Sequence, residues 1–212
     1  VYEALEDAAT SPSQLRQQGL TVGVFIGCMY EHYRLLAEPA LQELMSLQSY
    51  SGIVNRLSFH FDFHGPSIAV DAACASSAIA IHLGALSLAA NECDVAIVGG
   101  VNLTLHAAKY AGLESLGLLG SHPERAAFSH SDGMIPGEGS GVLVLKRQAR
   151  AEQDQDRIYG LVRGSATNHN GRTRGFNLPS SEAQVRVMQK ALQRAAVLPE
   201  QISYVESSAT GS

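Results

Sequence analysis

Short apolar runs and amphipathic stretches alternate along this chain. Thr21 to Gly27 (TVGVFIG) is apolar and rich in β-branched residues, which predicts a buried strand. Ser67 to Asp71 (SIAVD), Cys93 to Val101 (CDVAIVGGV), Gly141 to Leu145 (GVLVL), Ile158 to Ala166 and Ile202 to Glu206 (ISYVE) read as further strands. Between them lie helical patterns. Val1 to Ala8 places Val1, Leu5 and Ala8 on one face, and Leu36 to Leu47 is helical in character. Ala75 to Ala90 is apolar on all sides, the mark of a helix inside a domain. Ser181-Glu182-Ala183-Gln184 has the form of a capping box, opening a helix whose stripe is Val185, Met188, Leu192 and Ala195, with Pro199 beyond its end. Strands alternating with helices imply a layered α/β fold around a largely buried sheet. Neither a short repeat nor a low-complexity linker divides the chain, so one domain is expected.

Both ends have the look of cut edges. Val1 stands in a helical pattern with no capping residue before it, and Gly211-Ser212 follow a strand pattern directly. The expectation is a section of a larger domain, truncated on both sides.

Composition narrows the function classes. A net charge of -5 over 212 residues gives no electrostatic footprint for nucleic acid. Every apolar run is broken by Gly, Asn, Asp or His before it could span a bilayer, and Val1 to Leu20 lacks a signal-peptide pattern. The cysteines are Cys28, Cys74 and Cys93, an odd count at wide spacing, which argues against a disulfide framework and for a reducing cytoplasm.

Val70-Asp71-Ala72-Ala73-Cys74-Ala75-Ser76-Ser77 carries the most chemistry. A strand enters a cluster of small residues and leaves as a buried helix. Small residues permit a sharp turn, which would set Cys74 at or just before a helix N-terminus. Unpaired N–H groups and the positive end of the helix dipole favour a thiolate there and can stabilise an oxyanion. The residues alone leave two readings open: a nucleophile on an elbow, or an inert cysteine packed between strand and helix.

Asp-Ala-Ala-Cys-Ala-Ser-Ser resembles the D-T-A-C-S-S-S nucleophile motif of β-ketoacyl synthases, and more closely the ketosynthase domains of modular polyketide synthases. Other stretches agree in order and spacing: Val1 to Ala8 (VYEALEDA), Asp62-Phe63-His64-Gly65-Pro66-Ser67, Cys93 to Asn102, Asp132-Gly133 with Gly137-Glu138-Gly139, and Gly164-Ser165-Ala166 with Asn168, Gly171 and Arg172. The resemblance spans the whole chain and corresponds to the central part of a ketosynthase. It implies a thiolase-like layered α/β/α fold, a homodimer, and an acyl carrier protein delivering substrate on phosphopantetheine alongside other polyketide synthase domains. It implies no cofactor bound by the domain itself. Cys74 would take the acyl chain as a thioester.

The family pairs that cysteine with two histidines, the first in a Y-V-E-A-H-G-T-G-T motif. Here the stretch is Tyr204-Val205-Glu206-Ser207-Ser208-Ala209-Thr210-Gly211-Ser212, so Ser208 stands at the histidine's place. A hydroxyl neither holds a proton near neutral pH as imidazole does nor becomes a cationic donor. Losing that donor should cost several kcal/mol of transition-state stabilisation, on the order of one oxyanion donor. The hydroxyls at Thr210 and Ser212 are kept, where the family contacts the pantetheine arm. This combination resembles the non-elongating ketosynthases of trans-acyltransferase polyketide synthases, which pass a chain onward without extending it. Two alternatives stand beside it: a condensing synthase with a compensating histidine, and a non-catalytic dimerising and docking module. Phe128 matches a phenylalanine that gates the malonyl side of the family's pocket, although its spacing to Asp132 is one residue short. Asn177-Leu178-Pro179-Ser180 departs from the family's T-x-P-N loop near the acyl pocket.

The remaining candidates have plainer readings. Cys28 and Cys93 lie on apolar strands and read as core. His60 and His64 are four apart, but the alternation of Ser58 to Phe63 and the Gly65-Pro66 turn argue against a helix, and no third ligand sits at motif spacing, so no metal is expected. His169 reads as a solvated turn residue. Gly99-Gly100 lacks the pattern of a phosphate loop and reads as close packing.

Overall fold

The computed structural model describes residues 1–36, 49–122, 128, 132–175 and 178–208. The expected helix from Leu36 to Leu47 falls, apart from Leu36, outside the described residues. The chain divides into two compact units, one of residues 1–147 together with Ser207 and Ser208, the other of residues 148–206.

The first unit is built on a four-stranded mixed sheet. Its strands are β1 (Val22–Gly27), β2 (Ser67–Val70), β3 (Val95–Asn102) and β4 (Gly139–Lys146), in the order β2-β1-β3-β4. β1 pairs in parallel with both β2 and β3, with Val24 opposite Ser67 and Val22 opposite Val95, whereas β4 runs antiparallel to β3. Every residue of β1 is buried, as its unbroken apolar run predicts.

Side chains alternate across the strands and so build two cores. Val22, Val24 and Ile26 of β1, with Val95 and Ile97 of β3, face one side. There they pack with Leu5 of helix α1 (Tyr2–Asp7), Leu15 of α2 (Pro12–Gln17), and Val54 and Phe61 of α3 (Tyr50–Phe61). Phe25, Val70, Ala96 and Val98 face the other side and pack against Ala80 and Leu88 of α4 (Ser76–Ala89). Helices on both faces of a buried sheet make the α/β/α layering. The all-round apolar α4 is nevertheless half-covered: Ala80, Gly84, Ser87 and Leu88 are buried, but Leu86 is 49% exposed. The stretch from Ser58 to Phe61, whose alternation argued against a helix, is the last turn of α3. It ends at Asp62 in the left-handed conformation (φ 56°).

The second unit holds α6 (Gln148–Gln153) and α7 (Ser181–Ala195); α5 (Ala108–Ser115) belongs to the first. The cap of α7 is Ser180, whose hydroxyl accepts from the Ala183 N–H, one residue before the expected box. Its expected apolar stripe is largely uncovered, with Val185 50% and Met188 56% exposed. Two expected strands carry no ladder. Ile158 to Ala166 instead lies along α7: Arg194 donates to the Ser165 carbonyl at 2.7 Å, and a Cβ on Gly164 would meet the Ala191 carbonyl oxygen at 2.6 Å. Ile202 to Glu206 is exposed, with Tyr204 and Val205 mostly in solvent. Apolar, β-branched sequence marks what can form a strand, but a strand needs a neighbour for its N–H and C=O groups, and none stands beside these segments among the described residues.

Candidate functional site

The strands β1, β2 and β3 run parallel, so their C-terminal ends share one edge of the sheet, the usual place for a site in such folds. The elbow is built on that edge. β2 ends at Val70, and Asp71 turns the chain by accepting from the Ala73 N–H at 3.1 Å. Ala73 takes the left-handed conformation (φ 52°), which a residue with a Cβ adopts at a cost. Cys74 follows, then Ala75 caps α4. The Ser76 hydroxyl ties the turn together: it accepts from the Ala72 N–H at 2.9 Å and donates to the Ala73 carbonyl at 2.6 Å. Ser76 is buried, and Cys74 between these two bonds is exposed with a free thiol.

Glycines let the elbow sit on the sheet. A Cβ on Gly27 would lie 2.5 Å from the Ser77 nitrogen, and one on Gly100 would lie 2.8 Å from the Ser77 Cβ. A Cβ on Gly99 would likewise collide with the Gly141 carbonyl oxygen. Close backbone approach accounts for Gly27 and Gly99, and the Ser77 side chain for Gly100.

The other two cysteines differ from Cys74 in environment. Cys28 is buried, and that burial, followed by the charges of Asp71 and Glu31, pushes its thiol pKa up. Cys93 is buried too; burial raises its pKa against a smaller lowering from its hydrogen bond to Ser87. Both therefore stay protonated where an ordinary thiol begins to ionise.

Beside the elbow, at the same edge, is a cavity of about 380 Å³. Cys28 to His32 after β1, residues of the first half of α3, and Val101 to Leu103 at the end of β3 form its walls. Cys74 is not among the residues that line it. Tyr30 and His32 stack on this wall with ring centroids 4.7 Å apart. The ammonium of Lys109 lies over the Tyr30 ring, 5.1 Å from its centre.

No sequence pattern singles out Lys109. It is 4% exposed, and its Nζ donates to Asn102 Oδ1 at 2.6 Å and to the Leu103 carbonyl at 3.1 Å. Burial lowers its pKa, partly offset by Glu138. Asn102 in turn donates to the Gly137 carbonyl at 2.6 Å, and Glu138 accepts from the Thr104 N–H. The Gly137-Glu138-Gly139 stretch is thus clamped to the end of β3. A lone lysine among alanines signals a solvated helix face, so nothing local distinguished it.

Ser208 is exposed and belongs to the same compact unit as Cys74. Thr210 and Ser212 lie outside the described residues, as does Asn177. Phe128 is in a turn, 89% exposed. His60 accepts or shares a hydrogen bond with the Tyr2 hydroxyl at 2.7 Å, and His64 lies 3.2 Å from Asp62. Among the described residues no group of three His, Cys, Asp or Glu is placed to hold a metal, and no helix is long and apolar enough to cross a membrane. The His169 Nδ1 accepts from the Gly171 N–H, a local turn contact.

Comparison with known proteins adds the following. Residues 1–151 match the family model described as beta-ketoacyl synthase, N-terminal domain, and residues 159–212 match the corresponding C-terminal domain. The chain is 42% identical over 220 residues to polyketide synthase PksL of Bacillus subtilis, covering 100% of this chain and 5% of that protein. It is 40% identical over 216 residues to polyketide synthase ThaG of Burkholderia thailandensis, covering 99% of this chain and 4% of that protein. Among solved structures, an oxazolomycin ketosynthase domain of Streptomyces albus superposes with a TM-score of 0.89 at 40% identity, over 98% of this chain and 37% of that one. The ketosynthase from module 6 of the bacillaene synthase of Bacillus subtilis superposes with a TM-score of 0.88 at 34% identity, over 99% of this chain and 36% of that one. The chain therefore spans a small fraction of its curated relatives and about a third of the solved domains.

Proposed function

The chain belongs to the β-ketoacyl synthase family, with the thiolase-like fold of polyketide synthase ketosynthases, and from that premise we propose that it accepts an acyl chain on Cys74 and passes it on without condensation. The observation that carries the reading is the exposed thiol of Cys74 on a left-handed elbow, one residue before the cap of α4, in a chain whose other two cysteines are buried.

The Cys74 thiolate attacks the carbonyl carbon of an acyl thioester carried on the phosphopantetheine of an acyl carrier protein. A sulfur–carbon bond forms, the tetrahedral oxyanion collapses, and the bond to pantetheine sulfur breaks. The released pantetheine thiolate takes up the proton that the cysteine thiol gave away. The same steps in reverse hand the chain to the next carrier. The N-terminal end of α4 begins just beyond Cys74, and its dipole would favour the oxyanion. Thr210 and Ser212 would contact the pantetheine arm, and Phe128 would flank the entrance on the malonyl side. The protein binds no cofactor of its own in this reading, and it works as a homodimer among other polyketide synthase domains.

Condensation needs more. It requires a group that stabilises the enolate oxygen released by decarboxylation of a malonyl thioester, and Ser208 stands where the family has a histidine for that purpose. A serine hydroxyl donates only a neutral hydrogen bond. The test is product analysis with malonyl carrier protein, using the whole protein that carries this chain. No ketoacyl product is expected from it, while Ser208→His should yield some. Extended product from the unaltered protein would overturn the reading of Ser208.

A further inference from the structure

At the C-terminal edge of the sheet, β1 and β2 leave side by side. The Cys28 N–H donates to the Val70 carbonyl at 3.0 Å, extending the register that sets Gly27 opposite Val70. The chain then runs on through Met29 on one side and through Asp71 on the other. Tyr50 reaches this place from the first turn of α3, and its hydroxyl donates to the Met29 carbonyl at 2.8 Å. Val54 and Phe61 root α3 in the core, so the hydroxyl is held out from a fixed element.

A second acceptor stands beside that hydroxyl. The pKa of Tyr50 is raised by burial first, then by the charge of Asp71, and also by a hydrogen bond to that carboxylate. The same carboxylate accepts from the Ala73 N–H at 3.1 Å, the bond that turns the elbow one residue before Cys74. Ala73 is left-handed, a conformation that costs free energy and persists only where its surroundings impose it. Asp71 is itself exposed, so burial does not keep its carboxylate over the turn.

We propose that Tyr50 is a positioning residue for acyl transfer at Cys74: from α3 its hydroxyl holds the Asp71 carboxylate where it turns the elbow, and so fixes the direction from which the thiol meets the thioester. The inference rests on the acyl-transfer reading above and adds a residue to it. Tyr50 acts through Asp71 and Ala73 rather than on the substrate. Without the hydroxyl the carboxylate swings toward solvent, the Ala73 N–H loses its acceptor for part of the time, and Cys74 meets the acyl carbonyl less often in line. Lost alignment lowers the rate of the bound complex more than it weakens binding.

The experiment compares Tyr50→Phe, which keeps the ring, with the unaltered whole protein, using one acyl carrier thioester. Acylation of Cys74, followed by intact mass, should slow roughly fivefold at saturating thioester, the size of one hydrogen bond, with the half-saturating concentration little changed. Amide exchange should quicken in the peptide covering residues 71–76 and stay as it was in β3, which reports the folded core. In an Asp71→Ala background, Tyr50→Phe should add nothing to either readout, since the group it holds is gone. A residue needed only for folding would instead lose activity in proportion to folded protein, and additively. An unchanged saturating rate, unchanged exchange at residues 71–76, or additive losses overturn the inference. Quickened exchange that Asp71→Ala cancels, in a protein that forms no adduct, would sink the acyl-transfer reading and leave the hold of Tyr50 on the elbow standing.

Discussion

Gly27 and Ser77 approach so closely that a Cβ on Gly27 would stand 2.5 Å from the Ser77 backbone nitrogen. This contact sets the start of α4 directly on the end of β1, and with it the height of Cys74 above the sheet. The obstacle is backbone, so no side-chain rotation relieves it. Gly27→Ala should cost about 1–3 kcal/mol, the range of overpacked interiors. It should also slow Cys74 acylation by more than the fraction unfolded explains. Denaturant melts and acylation kinetics on one preparation check both; an acylation rate equal to that of the unaltered protein would contradict the seating described here.

Ser76 holds the elbow from inside. Ser76→Ala removes the acceptor of the Ala72 N–H and the donor to Ala73 in a buried place, which should cost about 1–3 kcal/mol. The left-handed Ala73 would lose its tie, and thiol reactivity should fall with stability. Ser76→Thr, which keeps the hydroxyl, should lose less on both measures.

The fold's sheet was readable from four apolar runs because each is flanked by the neighbours it needs. Ile158 to Ala166 and Ile202 to Glu206 had the same composition and no ladder, since composition does not report a neighbour. The elbow was legible because small residues around Cys74 announce a turn. The left-handed step at Ala73, the cavity and the clamp at Lys109 were not, because each arises from segments far apart in sequence. The capping box was misplaced by one residue because Ser180 and Ser181 are both capping types and only the backbone chooses between them.

Lys109 should matter for stability far more than its exposed counterparts. Lys109→Met would leave Asn102 Oδ1 and the Leu103 carbonyl without their donor, a loss of about 1–3 kcal/mol. Arg16→Met breaks the ion pair with Asp62, whose side chains are 46% and 53% exposed, and should change stability by about 0–1 kcal/mol. Chemical denaturation of the two variants separates them.

The buried thiols fix a direction of pH dependence. The pKa values of Cys28 and Cys93 are raised by burial above the ordinary 9.0, and that of Tyr50, also raised chiefly by burial, above 10.0. The folded protein thus holds protons that the unfolded chain releases. Their contribution is fully present below the ordinary thiol value and is lost as pH climbs from there through the raised folded values. Between pH of about 8.5 and 10, denaturation midpoints should fall for this reason, and Cys93→Ala should show a shallower fall than the unaltered protein. Lys109 acts oppositely: its lowered pKa means the penalty of burying its charge is eased as pH rises.

The thiols also differ in access. Of this chain's cysteines, iodoacetamide at neutral pH should alkylate Cys74 alone in the folded protein, and all three after denaturation. Peptide mapping reads this directly; early labelling of Cys28 or Cys93 would contradict the burial found for them.

The acyl-acceptor role of Cys74 is tested most directly by intact-protein mass after mixing the whole protein with an acyl-loaded carrier protein. One acyl adduct is expected, lost in Cys74→Ala and transferable to a second, empty carrier. No adduct, or an adduct that persists in Cys74→Ala, would contradict it.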